Sequence, residues 1–366
     1  MDKLQTRAVS SRANHQANPQ VSVVVPLYNK AAYIARTLRS ILAQTVSPLE
    51  VIVINDGSQD EGPAIVQQLA ETQKQDKGEV NRESEIQIRL VHQENAGPGA
   101  ARNHGLRLAQ GSHIAFLDAD DEWFPLFLER SLDRLRAHPD CVLSVSGQVR
   151  GAQRQNWSAT MAQLGLEAGV WRLPTNLTPE LHKPSLDILH SGAIVCDRTV
   201  VNQFGGFYSQ AGCRYGEDLY LWLQIILHYP IYRDFGPLMW YHTEASDLAV
   251  WRQTCPPWPM LLEPDPIRAH CPQPYQELLE QLLANYALIA AYRCATQGDL
   301  ETARTLLKAY PRVQASAARI WQIRLEMLIS AVPNLRRSLR QLKRSGGEDG
   351  GDGEGRKIME EDAGRG

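Results

Sequence analysis

Between residues 20 and 135 short β-branched runs alternate with segments of helical period, and three of the runs stop at polar or acidic residues. "VSVVVPLYN" reads as a strand over Val21 to Val25, buried on both faces and broken by Pro26. Ile34, Leu38, Ile41 and Leu42 follow at i, i+4, i+7 and i+8, the spacing of one helix face. "EVIVINDGSQD" repeats the pattern, with a turn at Asn55 to Ser58 and Asp60 as a helix cap. The polar stretch 71–85 reads as an exposed connection before the strand "IQIRLVHQEN". A glycine-rich loop and a helix closed by Gly111 lead to "HIAFLD". Such alternation predicts an α/β fold, a mostly parallel central sheet flanked by helices on both faces. Ligands in such folds sit at the carboxyl ends of the strands, which here are Pro26 to Asn29, Asp56 to Ser58 and Asp118 to Asp121.

Beyond residue 147 the pattern is less regular. "GAIVCDRTVVNQFGGFY" reads as a strand and short helix. In "GEDLYLWLQIILHY" Leu219, Trp222, Leu223 and Ile226 share one face, which puts Glu217 and Asp218 in the first helical turn. Residues 250–275, rich in Pro and Trp, read as an irregular linker, and "NYALIAAYRCATQGDLETARTLLKAYP" as a helical hairpin turning at Gly298 and Asp299. The expected division is a disordered lead-in over 1–19 and a main domain over 20–245, split into the regular half 20–135 and the less regular half 136–245. A linker and helical extension over 246–345 and a low-complexity disordered tail over 346–366 complete it. At 43% hydrophobic and 22% charged residues with a formal net charge of -3, the chain reads as globular, with no global pull toward nucleic acid or anionic membrane. Six scattered cysteines without zinc spacing, and no signal-peptide or membrane-length apolar run, make a reduced cytoplasmic setting the expectation.

Asp118 and Asp120, two residues apart in an extended segment, point to one side, as a hard divalent cation requires; a solvated loop after a strand is the alternative. Asp56 reads as turn chemistry or as an acceptor for a nucleotide donor group. Gly97, Gly99 and Gly105 do not make G-x-G-x-x-G, and no P-loop pattern occurs, which disfavours Rossmann oxidoreductases and P-loop kinases. Arg102 fits a nucleotide contact or a loop support. Asp218 beside Glu217 reads as a base, a ligand, or a carboxylate favoured by the helix dipole.

Taken in order, "VVVPLYNKAAYIARTLRSILAQT", "EVIVINDGSQD", "NAGPGAARNHGL", "IAFLDADDEW" and "GEDLYLWL" resemble the family 2 glycosyltransferases of GT-A fold, over about residues 20–245. The resemblance implies a GT-A type sheet with a C-terminal α-helical extension. It implies an inverting transfer of sugar from a nucleotide-diphosphate donor, expected to be a UDP-sugar, to a hydroxyl of a saccharide or lipid-linked acceptor, in surface polysaccharide or glycoconjugate synthesis. By resemblance Pro26, Tyr28, Asn29, Asp56, Arg102 and Asp118 bind the nucleotide, Asp120 and His242 hold Mg²⁺ or Mn²⁺, and Asp218 with Glu217 is catalytic. His242 stands in "WYHTEASD", which departs from the family's usual Tyr-Arg-x-His segment. "NLRRSLRQLKR" (334–344) places Leu335, Leu339 and Leu342 on one face of a basic helix, the pattern of a peripheral membrane contact on the cytoplasmic face or of a solvated terminal helix. The competing readings are a catalytically inactive nucleotide-sugar-binding scaffold of the same fold, a receiver-like phosphoacceptor domain and a haloacid-type phosphatase. The receiver domain is shorter, and the phosphatase would carry its D-x-D after the first strand.

Overall fold

Backbone pairing carries out the alternation that the sequence announces. The computed structural model describes residues 20–76, 86–157, 161, 163–210, 213–245 and 257–311. The lead-in, the tail and the basic segment 334–344 lie outside these residues. Strands β1 (Val21–Leu27), β2 (Glu50–Asp56), β3 (Gln87–Gln93) and β4 (His113–Phe116) are mutually parallel in the order β3-β2-β1-β4. Helices α1 (Ala31–Leu42), α2 (Gly62–Asp76) and α3 (Pro98–Leu108) make the crossovers. Every residue of β2 is buried, as is all of β1 except a half-buried Pro26. Each fully buried Val, Ile or Leu of this kind contributes about 1.5–3 kcal/mol.

β1 continues two residues past the expected stop, and Pro26 explains where the sheet opens instead of where the strand ends. The Leu117 N–H donates to the Val24 carbonyl at 3.0 Å, and the next rung would need a donor at residue 26. Proline has none. β4 therefore parts from β1 there, while β1 stays paired with β2 as far as Leu27 and Asn55.

The second half of the sheet is mixed. β5 (Glu122–Trp123) leads to α4 (Phe127–Ala137) and β6 (Leu143–Arg150), followed by the short β7 (Gln155–Asn156) and β8 (Gly169–Trp171). After α5 (Pro179–Asp187) and a 3-10 turn at Ser191–Ala193 comes β9 (Ile194–Asp197), antiparallel to both β4 and β6. Then α6 (Arg198–Gln203) and α7 (Glu217–His228) lead to β10 (Ile231–Tyr241), parallel to β6. The complete order is β3-β2-β1-β4-β9-β6-β10-β5, with β7 on β6 and β8 on β10.

Four local expectations are corrected. Residues 71–76 are the last turns of α2, with Glu71 and Thr72 exposed, not a connection. The helix before β4 ends at Leu108 with Ala109 as its cap; Gly111 lies beyond, where a Cβ would stand 2.6 Å from the Gln20 carbonyl oxygen, so glycine permits close approach to β1. α7 is buried continuously from Leu221 to Leu227 instead of along one face. Finally, 257–275 is not irregular: α8 (Pro259–Leu262), α9 (Asp265–His270) and a 3-10 turn at Gln273–Tyr275 bury Trp258, Met260, Ile267 and Tyr275.

The chain divides into two compact units, Met1–Asp247 with Trp258–Leu279, and Leu248–Pro257 with Glu280–Gly366. In the second, the greater part of α10 (Gln276–Gln297) is followed by α11 (Leu300–Ala309) through the expected turn at Gly298 and Asp299, whose carboxylate caps α11 by accepting from the Thr302 N–H. Cys141 and Cys213 are free thiols, and no described helix is long and apolar enough to cross a membrane.

Candidate active site

β1 has β2 on one side and β4 on the other, so the strand order reverses beside it and leaves a crevice at the carboxyl ends. Four sequence-predicted groups meet at that crevice. Tyr28 is 41% exposed after β1, and Asn29 takes a left-handed φ of 50°. The Asn29 side chain accepts from the Gln59 N–H at 2.8 Å, which ties the β1 turn to the β2 turn. Asp60 joins the same pair of turns, accepting from the Ala31 N–H of α1 at 2.7 Å and the Gly62 N–H of α2 at 3.0 Å. Its predicted cap is thus shared by two helix starts.

Asp56, at the end of β2, is buried and accepts from Gln93 Nε2 and the Ala96 N–H at 2.8 Å and from the Gly97 N–H at 2.9 Å. The carboxylate therefore pins the glycine-rich loop. Helix α3 begins there and approaches the segment before α7 so closely that a Cβ at Gly99 would lie 2.3 Å from the Tyr208 carbonyl oxygen.

That approach brings Arg102 to the centre of the site. Its Nη1 donates to Glu217 and its Nη2 to Asp118, each at 2.6 Å, with the guanidinium 4% exposed. Two charge-assisted bonds thus lock the end of β4 to the start of α7. Burial alone would lower the Arg102 pKa, but Asp118 and Glu217 raise it. Arg102 and Glu217 thus form part of a frame, and support was one of the two readings the sequence left open for Arg102.

The acidic end of β4 is crowded. Burial would raise Asp118, yet Arg102 holds it below the ordinary carboxylate value. Burial lifts Asp120 above it, with Asp118 adding to the effect, although Lys30 Nζ lies 3.0 Å from its Oδ2. Burial and the charges of Asp120 and Asp118 push Asp121 well above it. Thr37 of α1 holds this loop through the Ala119 and Asp121 carbonyls, at 3.0 and 2.8 Å.

Asp218, beside Glu217, is the group whose environment most resembles that of a base. Burial, then the Glu217 charge, moves its carboxyl up to about 7. Oδ1 accepts from the Leu219 N–H at 2.8 Å, and Oδ2 accepts from Ser191 Oγ at 3.3 Å. The indole N–H of the fully buried Trp222 donates to Ser191 Oγ at 3.1 Å, which leaves the serine proton free for Asp218.

Among the described residues, the side chains arranged as a cation site are Asp118, Asp121 and His190, their ligand atoms all within 4.8 Å of one another. Asp121 Oδ2 is buried without a hydrogen-bond partner, and three crowded carboxylates suit a hard divalent cation. His190 is neutral at pH 7, burial moving it down to about 4. Its Nδ1 accepts from the Gly192 N–H at 3.2 Å, so the ring offers a cation that lone pair only by giving up the cap. Of the two ligands predicted from sequence, Asp120 faces Lys30. His242 has its ring nitrogens 2.9 Å from Glu244 and from Glu122, outside the cluster, while its N–H donates to Asp121. Neither His190 nor Ser191 was singled out from sequence; "LHSGAIV", a His-Ser pair entering an apolar strand, was the signal available.

Comparison with known proteins adds the lineage. YibD, an uncharacterized glycosyltransferase of Escherichia coli (strain K12), is 35% identical over 138 residues, which cover 36% of this chain and 37% of that protein. The uncharacterized glycosyltransferase alr2836 of Nostoc sp. (strain PCC 7120) is 40% identical over 114 residues, covering 31% and 32%. The chain thus spans about a third of the length of these relatives. The crystal structure of S. aureus TarS 1-349 in complex with UDP-GlcNAc superposes with a TM-score of 0.62 over 88% of this chain and 92% of that one, at 16% identity, a likeness of fold of the GT-A kind. The sequence model of Glycosyl transferase family 2 matches residues 22–205, half of the chain, and with it the protein belongs to that family.

Proposed function

We propose that the protein is an inverting glycosyltransferase that moves a sugar from a nucleotide-diphosphate donor, a UDP-sugar in the first instance, to a hydroxyl of a saccharide or lipid-linked acceptor. The observation that carries this reading is Asp218: a largely buried carboxyl, pushed up to about 7, held beside the acidic end of β4 by the Arg102 frame. A base is most effective when its proton affinity lies near the working pH. In the reaction Asp218 takes the proton of the acceptor hydroxyl while that oxygen bonds to the anomeric carbon. The bond from that carbon to the donor phosphate breaks on the opposite face, and the nucleoside diphosphate leaves with the electron pair. Attack opposite the leaving group inverts the configuration.

The nucleotide belongs at the ends of β1 and β2, with the base against Asp56 and Tyr28 and Asn29 along its edge. Asp118, Asp120 and Asp121, with His190 at the margin, would hold Mg²⁺ or Mn²⁺, which when bound supplies Lewis-acid stabilisation to the leaving diphosphate. The lone pairs on the acidic cluster favour this reading over an inactive scaffold, which has no need of a base near neutrality. Nucleotide sugars are cytosolic metabolites, so the reaction is placed on the cytoplasmic side, with surface polysaccharide as the destination.

Calorimetric titration with UDP, in Mn²⁺ or in chelator, tests the donor site. Wild type is expected to bind UDP at least ten times more tightly with the metal, and Asp120→Asn to lose that gain. Turnover of a UDP-sugar panel then tests the base: Asp218→Asn is expected to lower kcat by about 10²–10⁴ with UDP binding intact. Metal-dependent UDP binding with no turnover in wild type would leave the scaffold as the correct description.

A further inference from the structure

Two arginines act on His190, the buried Arg102 and the half-buried Arg150, and among the described residues only the first has ion pairs. Arg102 has a carboxylate on each terminal nitrogen. Arg150, the last residue of β6, has ring faces instead: its guanidinium carbon lies 4.0 Å from the centroid of Trp157 and 5.9 Å from that of Tyr241. Among the described residues its Nε has no hydrogen-bond partner, and no carboxylate forms an ion pair with it. Asp187 attracts it only through space and is itself paired with Lys183 at 2.5 Å. Among the described residues the indole N–H of Trp157 is a second buried donor without an acceptor. Buried donors in native proteins are satisfied, and two unsatisfied donors in stacking contact call for one shared acceptor.

The position of the pair favours an acceptor over the donor. Arg150 lies opposite Tyr241 in the β6 and β10 register, in the half of the sheet that carries neither Asp56 nor the β1 turn. His190 feels the charges of Asp118 and Arg150, and Asp121 acts on Arg150, so the arginine lies within electrostatic reach of the acidic cluster from the β6 side. Stacking against rings keeps the guanidinium fork available for two parallel hydrogen bonds, the geometry that a phosphate or carboxylate matches. The ring faces also present flat apolar surface to a sugar.

We propose that Arg150 and Trp157 form a subsite for an oxyanion carried by the saccharide acceptor, a sugar phosphate or a sugar carboxylate. The proposal rests on the transferase reading and specifies the acceptor class that the sequence left open.

The test titrates the full chain, saturated with UDP and Mn²⁺, with glucose 1-phosphate, glucuronate and glucose, reading heat and tryptophan fluorescence. Wild type is expected to bind at least one of the two anionic sugars ten times or more tighter than glucose. Arg150→Met is expected to abolish that preference, Arg150→Lys to keep part of it, and Trp157→Phe to weaken it several-fold, with UDP affinity unchanged within about twofold throughout. No anionic preference in wild type, or the same preference in Arg150→Met, overturns the proposal. So does a tenfold loss of UDP affinity in Arg150→Met with the sugar preference intact, which would assign Arg150 to the donor diphosphate. If Arg150→Met fails to fold, Arg150→Lys and Trp157→Phe carry the comparison. Absence of UDP binding in wild type would count against the transferase reading alone, since the sugar titration repeated without nucleotide still reports on Arg150.

Discussion

On the β3-β2-β1-β4 side Ser22 Oγ donates to Glu50 at 2.7 Å and accepts from the Gly111 N–H at 2.8 Å, Glu50 takes Arg89 at 3.1 Å, and Asp56 takes three donors. On β6, by contrast, Ser144, Ser146, Gln148 and Arg150 follow one another at two-residue spacing, and each has a buried polar atom without a partner among the described residues. Ser22, Glu50 and Asp56 thus have their carboxylate and hydroxyl oxygens tied within the first half of the sheet, which under the proposed function would give the nucleotide a preorganised site. The β6 row leaves hydrogen-bonding capacity that none of the described residues fills.

Removing a partner should therefore cost most where pairing is complete. Arg102→Met strands Asp118 and Glu217 without a countercharge, and breaking such a buried pair costs about 3–5 kcal/mol. Urea unfolding at pH 7 is expected to show that loss, together with a fall in turnover as Asp118 and α7 lose their common anchor. The sign with pH is fixed by Asp118, which Arg102 holds below its unfolded value. Its contribution is complete above that unfolded value and disappears as pH falls through the folded one, so the gap between wild type and variant should close toward acid. A gap that stays constant from pH 7 to pH 3 would mean that Arg102 acts by packing against Phe207, 5.3 Å away, and not by charge.

A smaller effect is expected at the boundary between the halves, where Ser191 meets Asp218. Below about pH 7 Asp218 is protonated and cannot accept the acceptor proton, so kcat/KM should rise with pH through that value. The Ser191 hydroxyl stabilises the ionised form, and Ser191→Ala should move the acid limb upward by a few tenths of a pH unit. Ser191→Thr should restore it. An unmoved limb with lowered kcat would make Ser191 a structural support for the 3-10 turn instead of a positioning residue for the base.

The same contrast explains what could be read from the sequence. "VSVVVPL", "EVIVIND" and "HIAF" became β1, β2 and β4 because strands buried on both faces are written as unbroken apolar runs. Their polar ends fall at the carboxyl ends of those strands. Pairings among those polar groups were not legible: Arg102 with Glu217 spans 115 residues, and nothing local to either says that they meet. His190 was invisible for the same reason, since its neighbours Asp118 and Asp121 arrive from another strand. In β6 the alternation Ser144, Ser146, Gln148 looks like an exposed face by period, yet all three are buried, because helices and the 3-10 turn cover what an isolated antiparallel edge would expose.

The smallest predicted change is the one that most directly tests whether the β6 row is unfinished. Ser22→Ala should cost about 1–2 kcal/mol, since it leaves a Glu50 oxygen and the Gly111 N–H short of a partner. Ser146→Ala, at a comparably buried site, removes a hydroxyl that bonds to nothing described, and is expected to change stability by less than about 0.5 kcal/mol or to raise it. Chemical denaturation of the two variants side by side measures the difference. A loss at Ser146 equal to that at Ser22 would mean that ordered water already completes the β6 row in the free protein. The acceptor would then have to displace that water, and the anion preference at Arg150 would be set by the exchange of one set of hydrogen bonds for another.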